Sequence, residues 1–384
     1  MTLALYTIFR CTNYGAVLQA LALARTLRAL PGVASVDVLN HRMDPRDNHL
    51  LGKITNPETP WFQRWRNRRK FAKRYLQSDR FEVRRAKTVR LIDEAVRPTA
   101  RLYRSPDELR GLPPYDVVVV GSDQIWNPLL NTDFGRNQYL ATDLPEGQAR
   151  VAYAASFGIS ELPPEFRRAY RAAIAKFRAV TCREESGARI CEALLGTRPE
   201  VVLDPTLLLD AAVWTDLAAD RLQAVPRGAL AAYWVRTPTQ ADVDALAACA
   251  RRAGAPLRLM SAGPLPRLDL PPEVVPVVDA DPLDFVAEIL SASAVVTDSF
   301  HGLQFATVFR KPFVALGALD DPRANASRLV DFGARYGLGA GIGDIARFRA
   351  GEPAAYADFA AFDAARLDAD RARSRELLKG MVAP

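Results

Sequence analysis

The sequence predicts an α/β protein built as two Rossmann-like domains facing a cleft. Short apolar runs alternate with segments of helical apolar spacing, the pattern of parallel sheets with crossover helices. The alternation falls into two consecutive sets of similar size, with a junction near residues 204–215. At 384 residues the chain exceeds one ordinary domain and suits two, since domains usually run to ~100–200 residues.

In chain order, Leu3–Phe9 reads as a buried first strand, and Asn13-Tyr14-Gly15 breaks it. Ala16–Leu30 has helical apolar spacing and stops at Pro31-Gly32. Strands follow at Val36–Leu39, Asp116–Val120 and Val151–Phe157, then a helix at Pro164–Arg178, a strand at Val180–Arg183, a helix at Glu184–Leu195 and a strand at Val201–Leu203. The second set has strands at Leu230–Val235, Leu257–Met260, Val274–Val278, Val295–Thr297 and Phe313–Leu316. Its helices are Gln240–Ala253, Pro282–Ser291 and His301–Phe309, and a last helical stretch covers Ala365–Lys379. The expected domains are 1–207, carrying an insertion at about 41–110, then 208–345, then a C-terminal helical segment at 346–384.

Composition narrows the class. Hydrophobic residues make up 49% and charged residues 25%, which excludes disorder as the main theme. No apolar run approaches the ~18–20 residues of a membrane span. The start, MTLALYTIFRCTNYG, lacks a basic n-region and a small-residue cleavage site, so a cytoplasmic protein is expected. The four cysteines have no CxxC spacing, and each is read as a small buried apolar residue.

The net charge of +7 is local. Residues 61–90 carry twelve Lys/Arg and two acids, or +10, leaving the remainder at −3. Trp61, Phe62, Trp65, Phe71 and Tyr75 are interleaved with these cations. Three readings of the segment compete: a solvated helical hairpin whose aromatics pack on the first domain, a patch drawn to anionic lipid, and a nucleic-acid footprint. No nucleic-acid fold signature accompanies the charge, so nucleic acid is not an expected partner.

Chemistry concentrates at predicted carboxyl ends of strands, where open α/β sheets bind ligands. Val295-Val296-Thr297-Asp298-Ser299-Phe300-His301-Gly302 runs from strand to helix, and the free N–H groups of that helix start suit an anion. His301 stands at this edge, and Gly302 permits close backbone approach. The bland reading makes His301 a turn residue and Asp298 and Ser299 N-caps. Lys311 opens the next strand, at the end opposite His301 or in a returning loop; otherwise it is a solvated lysine. Asn13-x-Gly15 marks a second strand-to-helix turn, common in itself. Ser122, Asp123, Gln124, Trp126 and Asn127 follow the four-valine strand and offer polar groups with an aromatic face, as a sugar requires. The commoner fate of a tryptophan is core packing. Tyr153, Ser156 and Phe157 end the next strand. Arg183 precedes Glu184-Glu185, either to clamp an anion with parallel hydrogen bonds or to pair with those acids. Asp279-Ala280-Asp281 and Asp368-Ala369-Asp370 are not read as metal sites: Asp281 precedes Pro282 as an N-cap, and the second lies within a polar helix. No metal is expected.

Taken together these stretches resemble the polysaccharide pyruvyl transferase family. The matching pieces, in family order, are Thr12–Ala20, Gly121–Pro128, Tyr153–Gly158, Arg183–Gly187, Leu203-Asp204-Pro205-Thr206, Thr297–Gly302, Lys311-Pro312-Phe313 and Asn325-Ala326-Ser327-Arg328-Leu329. The resemblance implies a fold like the two-domain GT-B glycosyltransferases. It implies phosphoenolpyruvate as donor substrate, with no cofactor, and a sugar of a polysaccharide or its lipid-linked precursor as acceptor. The product is a pyruvate ketal across two hydroxyls, with phosphate released. It places a catalytic histidine at His301 and a donor-binding arginine at Arg183. Several family members carry Arg-Leu-His-Gly at the catalytic turn; here Ser299 replaces that arginine, and Lys311 or Arg328 has to compensate.

The expected site therefore has His301 and Asp298 in proton transfer, Asp298 orienting His301 or serving as a second base. An imidazole, titrating near ~6.5, suits both duties of acid and base. Arg183, Ser299, Phe300, Gly302, Lys311, Arg328, Asn13 and Gly15 are expected on the donor, and Ser122, Asp123, Gln124, Trp126, Asn127 and Ser156 on the acceptor. Residues 61–90 are expected to give peripheral contact at the inner face of the membrane. The alternatives are a nucleotide-sugar glycosyltransferase of the same fold and a non-enzymatic glycan- or membrane-binding module.

Overall fold

The computed structural model describes residues 1–41, 60–104, 106–129, 139–319 and 326–383. Part of the expected insertion, 42–59, and Asn325 lie outside the described residues.

The first sheet holds β1 (Thr2–Tyr6), β2 (Ser35–Val38), β3 (Val117–Val120), β4 (Arg150–Ala155), β5 (Ala179–Cys182) and β6 (Glu200–Val201), in the order β2-β1-β3-β4-β5-β6. The second holds β7 (Leu230–Trp234), β8 (Leu257–Ser261), β9 (Val274–Pro276), β10 (Ala294–Thr297), β11 (Phe313–Gly317) and β12 (Ile342–Asp344), in the order β12-β11-β10-β7-β8-β9. All pairings within both sheets are parallel. The central strands read as near-continuous apolar runs because both faces are covered by helices: every residue of β3, β4, β7 and β11 is buried, Arg150 at the start of β4 included. The expected α/β class with two parallel sheets is what the chain adopts.

Sheet order fixes where a ligand can bind. Chain connections reverse direction between β1 and β3 in one sheet and between β7 and β10 in the other, and the crevice opens at the carboxyl ends beside such a switch. From the first switch springs α1 (Tyr14–Arg28). The basic segment forms α2 (Trp61–Arg74) and α3 (Ser78–Leu91). Further along come α4 (Pro164–Ile174), α5 (Glu185–Leu195), α6 (Pro205–Leu208), α7 (Gln240–Ala253) and α8 (Pro282–Ser291). From the second switch springs α9 (Phe300–Val308), followed by α10 (Ala326–Arg335) and α11 (Ala364–Val382). The two lobes share one apolar cluster, in which Leu18 and Leu21 of α1, Leu207 and Leu208 of α6, Phe285 of α8 and Phe305 of α9 all take part.

The basic segment differs from a hairpin packed on the first lobe. Its joint is stitched to the second lobe: the Leu76 N–H donates to the Leu265 carbonyl at 2.8 Å and the Arg267 N–H to the Arg74 carbonyl at 3.2 Å. Arg80 pairs with Asp279 at 2.8 Å, and Lys87 pairs with Asp284. Arg84, fully buried, donates to the Thr12 carbonyl of the first lobe and to the Ser261 and Ala262 carbonyls of the second, the latter two at 2.6 and 3.0 Å. Much of the charge in α3 therefore serves as a bracket between lobes. No described helix is long and apolar enough to cross a membrane.

Candidate functional site

The two switch points meet head to head. Asn13 caps α1 by accepting from the Gly15 N–H at 3.0 Å, and the same oxygen accepts from the Tyr233 hydroxyl of β7 at 3.2 Å. Tyr14 stacks between lobes against Tyr233 and Phe285, with ring centroids 5.1 Å away in both cases. Across from them Ser299 caps α9, its Oγ accepting from the Gly302 N–H at 3.3 Å. Gly302 has to be glycine because a β-carbon there would lie 2.4 Å from Thr297 Oγ1. Gly15 is fixed for a related reason: a β-carbon on it would come within 2.1 Å of His301 Nδ1. The His301 side chain therefore lies against the head of α1, and only 6% of the residue is exposed. The open gap expected at this position is closed by that contact.

The ring is buried among charges. Asp204 Oδ2 lies 3.5 Å from His301 Nε2 and accepts from Arg183 Nη1 at 2.8 Å. Arg183 also reaches Asp123 at 3.3 Å and Glu184 at 3.6 Å. Burial works against the Arg183 charge, but Asp123, Asp204 and Glu184 outweigh it and raise its pKa. Burial likewise opposes ionisation of Asp204; the neighbouring His301 and Arg183 and the Thr206 N–H overcome it and hold the carboxyl well below its usual range. Asp204 is a site residue that sequence reasoning did not assign. Its signal, Asp-Pro before a helix, reads as an N-cap, and Oδ1 does cap α6 by accepting from the Thr206 N–H at 2.9 Å. The second oxygen carries the other role, which no local pattern encodes.

Arg328 completes the cluster from α10. Its guanidinium lies 5.3 Å from the Phe300 ring centre, and that of Arg183 lies 5.2 Å from the same ring. Arg328 is buried, and among the described residues it has neither a hydrogen bond nor an ion pair. Burial, followed by repulsion from Arg183, pushes its pKa down to about 10. His301 Nε2, Arg183 Nη2, Gln304 Nε2 and Ser156 Oγ are buried polar atoms that also lack a hydrogen-bond partner among the described residues. Buried polar atoms normally find partners, so such a convergence marks a place for a polar ligand.

Other expected residues go elsewhere. Among the described residues Asp298 has no hydrogen bond or ion pair with His301: its buried carboxylate accepts from the Val235 and Arg236 N–H groups at 2.6 and 3.1 Å and from Arg236 Nε at 3.1 Å. Burial raises its pKa despite those donors. Lys311 follows the far end of α9 and leads into the amino end of β11. It is separated from His301 by the length of the helix, about 14 Å at ~1.5 Å per residue, and cannot share one small anion with it. Ser299 uses its Oγ as acceptor in the cap. Trp126 is core: it is wholly buried, donates to the Tyr139 carbonyl at 3.0 Å and packs on Phe157 and Phe177, leaving no face for a sugar. Ser122 is equally enclosed, its hydroxyl donating to the Ala154 carbonyl at 2.9 Å. Asn127 braces Gln124 at 2.7 Å. Of the two Asp-x-Asp sequences, Asp281 closes a capping box with Asp284, and Asp370 holds Arg335 and Tyr336, each at 2.8 Å.

Two parallel-sheet lobes that set their switch points against each other over a buried charged cluster define the class of two-lobed α/β proteins that hold ligands between their carboxyl edges. Within that class the chain belongs to the polysaccharide pyruvyl transferase family, whose model matches residues 13–319, and it is a transferase. No curated protein matches it. Solved structures similar to it include the Methanocaldococcus jannaschii UDP-GlcNAc 2-epimerase in complex with UDP-GlcNAc and UDP, at 10% identity and a TM-score of 0.49, covering 98% of this chain and 99% of that one. The Escherichia coli heptosyltransferase WaaC with ADP has 14% identity and a TM-score of 0.34 over 84% of this chain and 88% of that one. The E. coli ADP-heptose lps heptosyltransferase II has 13% identity and a TM-score of 0.34 over 99% and 98%. With scores this low, the fold assignment rests on the two sheets themselves.

Proposed function

We propose that this transferase moves pyruvate from phosphoenolpyruvate onto two hydroxyls of one sugar in a polysaccharide or its lipid-linked precursor. The carrying observation is Arg328, a buried guanidinium with neither a hydrogen bond nor an ion pair among the described residues, set against the Phe300 ring that Arg183 also approaches. Phosphoenolpyruvate brings a carboxylate and a phosphate. An anion on Arg328 replaces the solvation that burial removes and offsets the repulsion from Arg183. The N–H groups of Phe300 and His301 at the head of α9, without an acceptor among the described residues, add to the cradle.

In the reaction His301 gives a proton to the methylene carbon of the donor, and cationic character develops at the central carbon. The first sugar hydroxyl bonds to that carbon and gives its proton to the His301 imidazole, left neutral by the first transfer. The carbon–oxygen bond to phosphate breaks and phosphate departs. The second hydroxyl closes on the same carbon and completes the ketal, its proton passing to the departing phosphate. Fixed cations and N–H groups hold the anionic ends throughout, so they need no reorganisation as charge moves. Asp204 Oδ2, 3.5 Å from Nε2, positions the ring for the first step. Because Gly15 covers the ring, the lobes part for substrate to enter.

Calorimetric titration with phosphoenolpyruvate and phosphate release with membrane-extracted glycans test the reading. Arg328→Met should weaken donor binding at least tenfold. His301→Ala should still bind donor and lose phosphate release by a factor of ~10² or more. Equal donor binding by Arg328→Met refutes the assignment. Thermal protection by UDP- or ADP-sugars, without protection by phosphoenolpyruvate, would instead favour a nucleotide-sugar glycosyltransferase.

A further inference from the structure

The structure divides the basic segment by function, and we infer that α2 alone is a seat on an anionic lipid bilayer. The argument starts from what α3 does not leave free. Arg80, Arg84 and Lys87 are spent on the second lobe and on Thr12. α2 carries seven Lys/Arg and no acid in its fourteen residues. Among the described residues only Arg68 reaches a carboxylate, that of Glu82 at 3.1 Å.

Asn67 and Phe71 are the buried residues of the helix and face the protein. The opposite face presents Trp61, Phe62 and Trp65, exposed by 74, 53 and 57%. They lie in the first turn and a half. Arg66, Arg69 and Lys73 continue the same stripe at helical spacing. Arg69 sits over the Trp65 ring at 4.8 Å, and Trp61 meets Phe62 edge to face at 6.2 Å.

Three large aromatics left in water beside unpaired cations are costly for a protein surface and fitting for the headgroup boundary of a bilayer. There the rings enter the acyl edge and the cations meet anionic phosphates. Nucleic acid would use the cations but leaves Trp61 and Phe62 at the helix tip without a role. The helix is about 21 Å long and ends at Tyr75, which lines a cavity of 90 Å³ with Arg236 and Ser261 at the carboxyl edges of β7 and β8. A membrane-bound α2 would bring that edge, and the head of the cleft, close to the lipid surface. This surface reading stands independently of the donor chemistry.

The test uses the full chain with vesicles of phosphatidylcholine alone and with ~30% phosphatidylglycerol. Trp126, Trp214 and Trp234 are wholly buried, so Trp61 and Trp65 report from the surface. Binding is expected only to the anionic vesicles, with quenching of tryptophan emission by brominated acyl chains. Trp61→Ala/Phe62→Ala/Trp65→Ala should abolish the quenching and weaken sedimentation roughly tenfold or more. Arg66→Ala, Arg69→Ala and Lys73→Ala should each cost roughly fivefold. All six positions are exposed, and unchanged urea unfolding checks that the variants fold. No association with anionic vesicles overturns the inference. So does association that ignores both sets of substitutions, or duplex DNA binding tighter than vesicle binding with no quenching. Because vesicle binding is read without substrate, its failure leaves the donor assignment standing, and the converse.

Discussion

At the scale of single residues, Asp204 holds the site together. One oxygen closes the first turn of α6, while the other ties Arg183 to the neighbourhood of His301. Asp204→Asn keeps the cap and removes the charge, leaving Arg183 with Asp123 and Glu184. Breaking a buried pair in this way costs about 3 kcal/mol. Since the folded-state pKa is depressed, the native carboxylate contributes stability above the unfolded value near ~3.9, and that contribution is lost as pH falls below it. Urea unfolding of the wild type should therefore weaken below pH 4, and the Asn variant should lose part of that slope. Phosphate release should fall by more than tenfold; unchanged release would show that Asp204 only supports the fold. At this scale the sequence is legible where chemistry coincides with a local pattern. His301 could be found because a strand, a small polar turn and a glycine surround it, and Arg183 because it ends a strand. Trp126 and Asp298 misled because residue type says what a side chain can do and not which way it faces. Trp126 is turned to the core and Asp298 to the backbone just past the end of β7.

At the scale of elements, α3 is a helix whose charge is structural. Arg84 lies over the Tyr14 ring at 4.2 Å while donating to carbonyls of both lobes. Arg84→Met preserves length and packing but leaves three carbonyl oxygens without this donor, at ~1–3 kcal/mol per group left unsatisfied. The expected loss is about 3 kcal/mol in urea unfolding, against less than ~0.5 kcal/mol for Arg90→Met on the exposed face. Equal effects at the two positions would refute the bracket. The same contrast explains why a run of positive charge could be located in the sequence but not resolved: its cations divide between lobe contacts and solvent by helical phase and by tertiary neighbours. Periodicity served well where helices bury an apolar stripe, as in α7 and α8, whose bounds match the expected ones. It goes unread in α10, although Ala326, Leu329, Phe332 and Gly333 lie at helical spacing on its buried face, because Arg328 is buried among them. It goes unread in β12 too, where three residues at a sheet edge are too few to show a period.

Across the whole molecule, α11 decides whether the lobes behave as one body. The helix begins beyond the second sheet and returns to the first lobe. Ser374 Oγ accepts from the Leu203 N–H at 3.0 Å, Arg371 donates to the Leu207 carbonyl at 2.7 Å, and Arg178 of the first lobe donates to the Met381 carbonyl at 2.6 Å. Asp370 on the same helix holds Arg335 and Tyr336 of the second lobe. Leu378, fully buried, belongs to the apolar cluster that runs through both lobes. A shared core couples unfolding: opening one lobe exposes apolar surface of the other, so the two should melt in one transition although each has its own sheet. Trp126 in the first lobe and Trp234 in the second are wholly buried, so each reports on its own half in variants that retain only that tryptophan. The two urea curves should superimpose. Leu378→Ala, at about 2–5 kcal/mol for a large-to-small change in a packed core, should move both midpoints together. Separate midpoints in the parent, or a shift of only one in the variant, would mean that the lobes are independent and that α11 is an appendage of a single lobe. Coupling of this kind also bears on catalysis, since His301 lies at the seam: a change that loosens α11 should let the lobes part more readily around Gly15 and raise donor on-rates while stability falls.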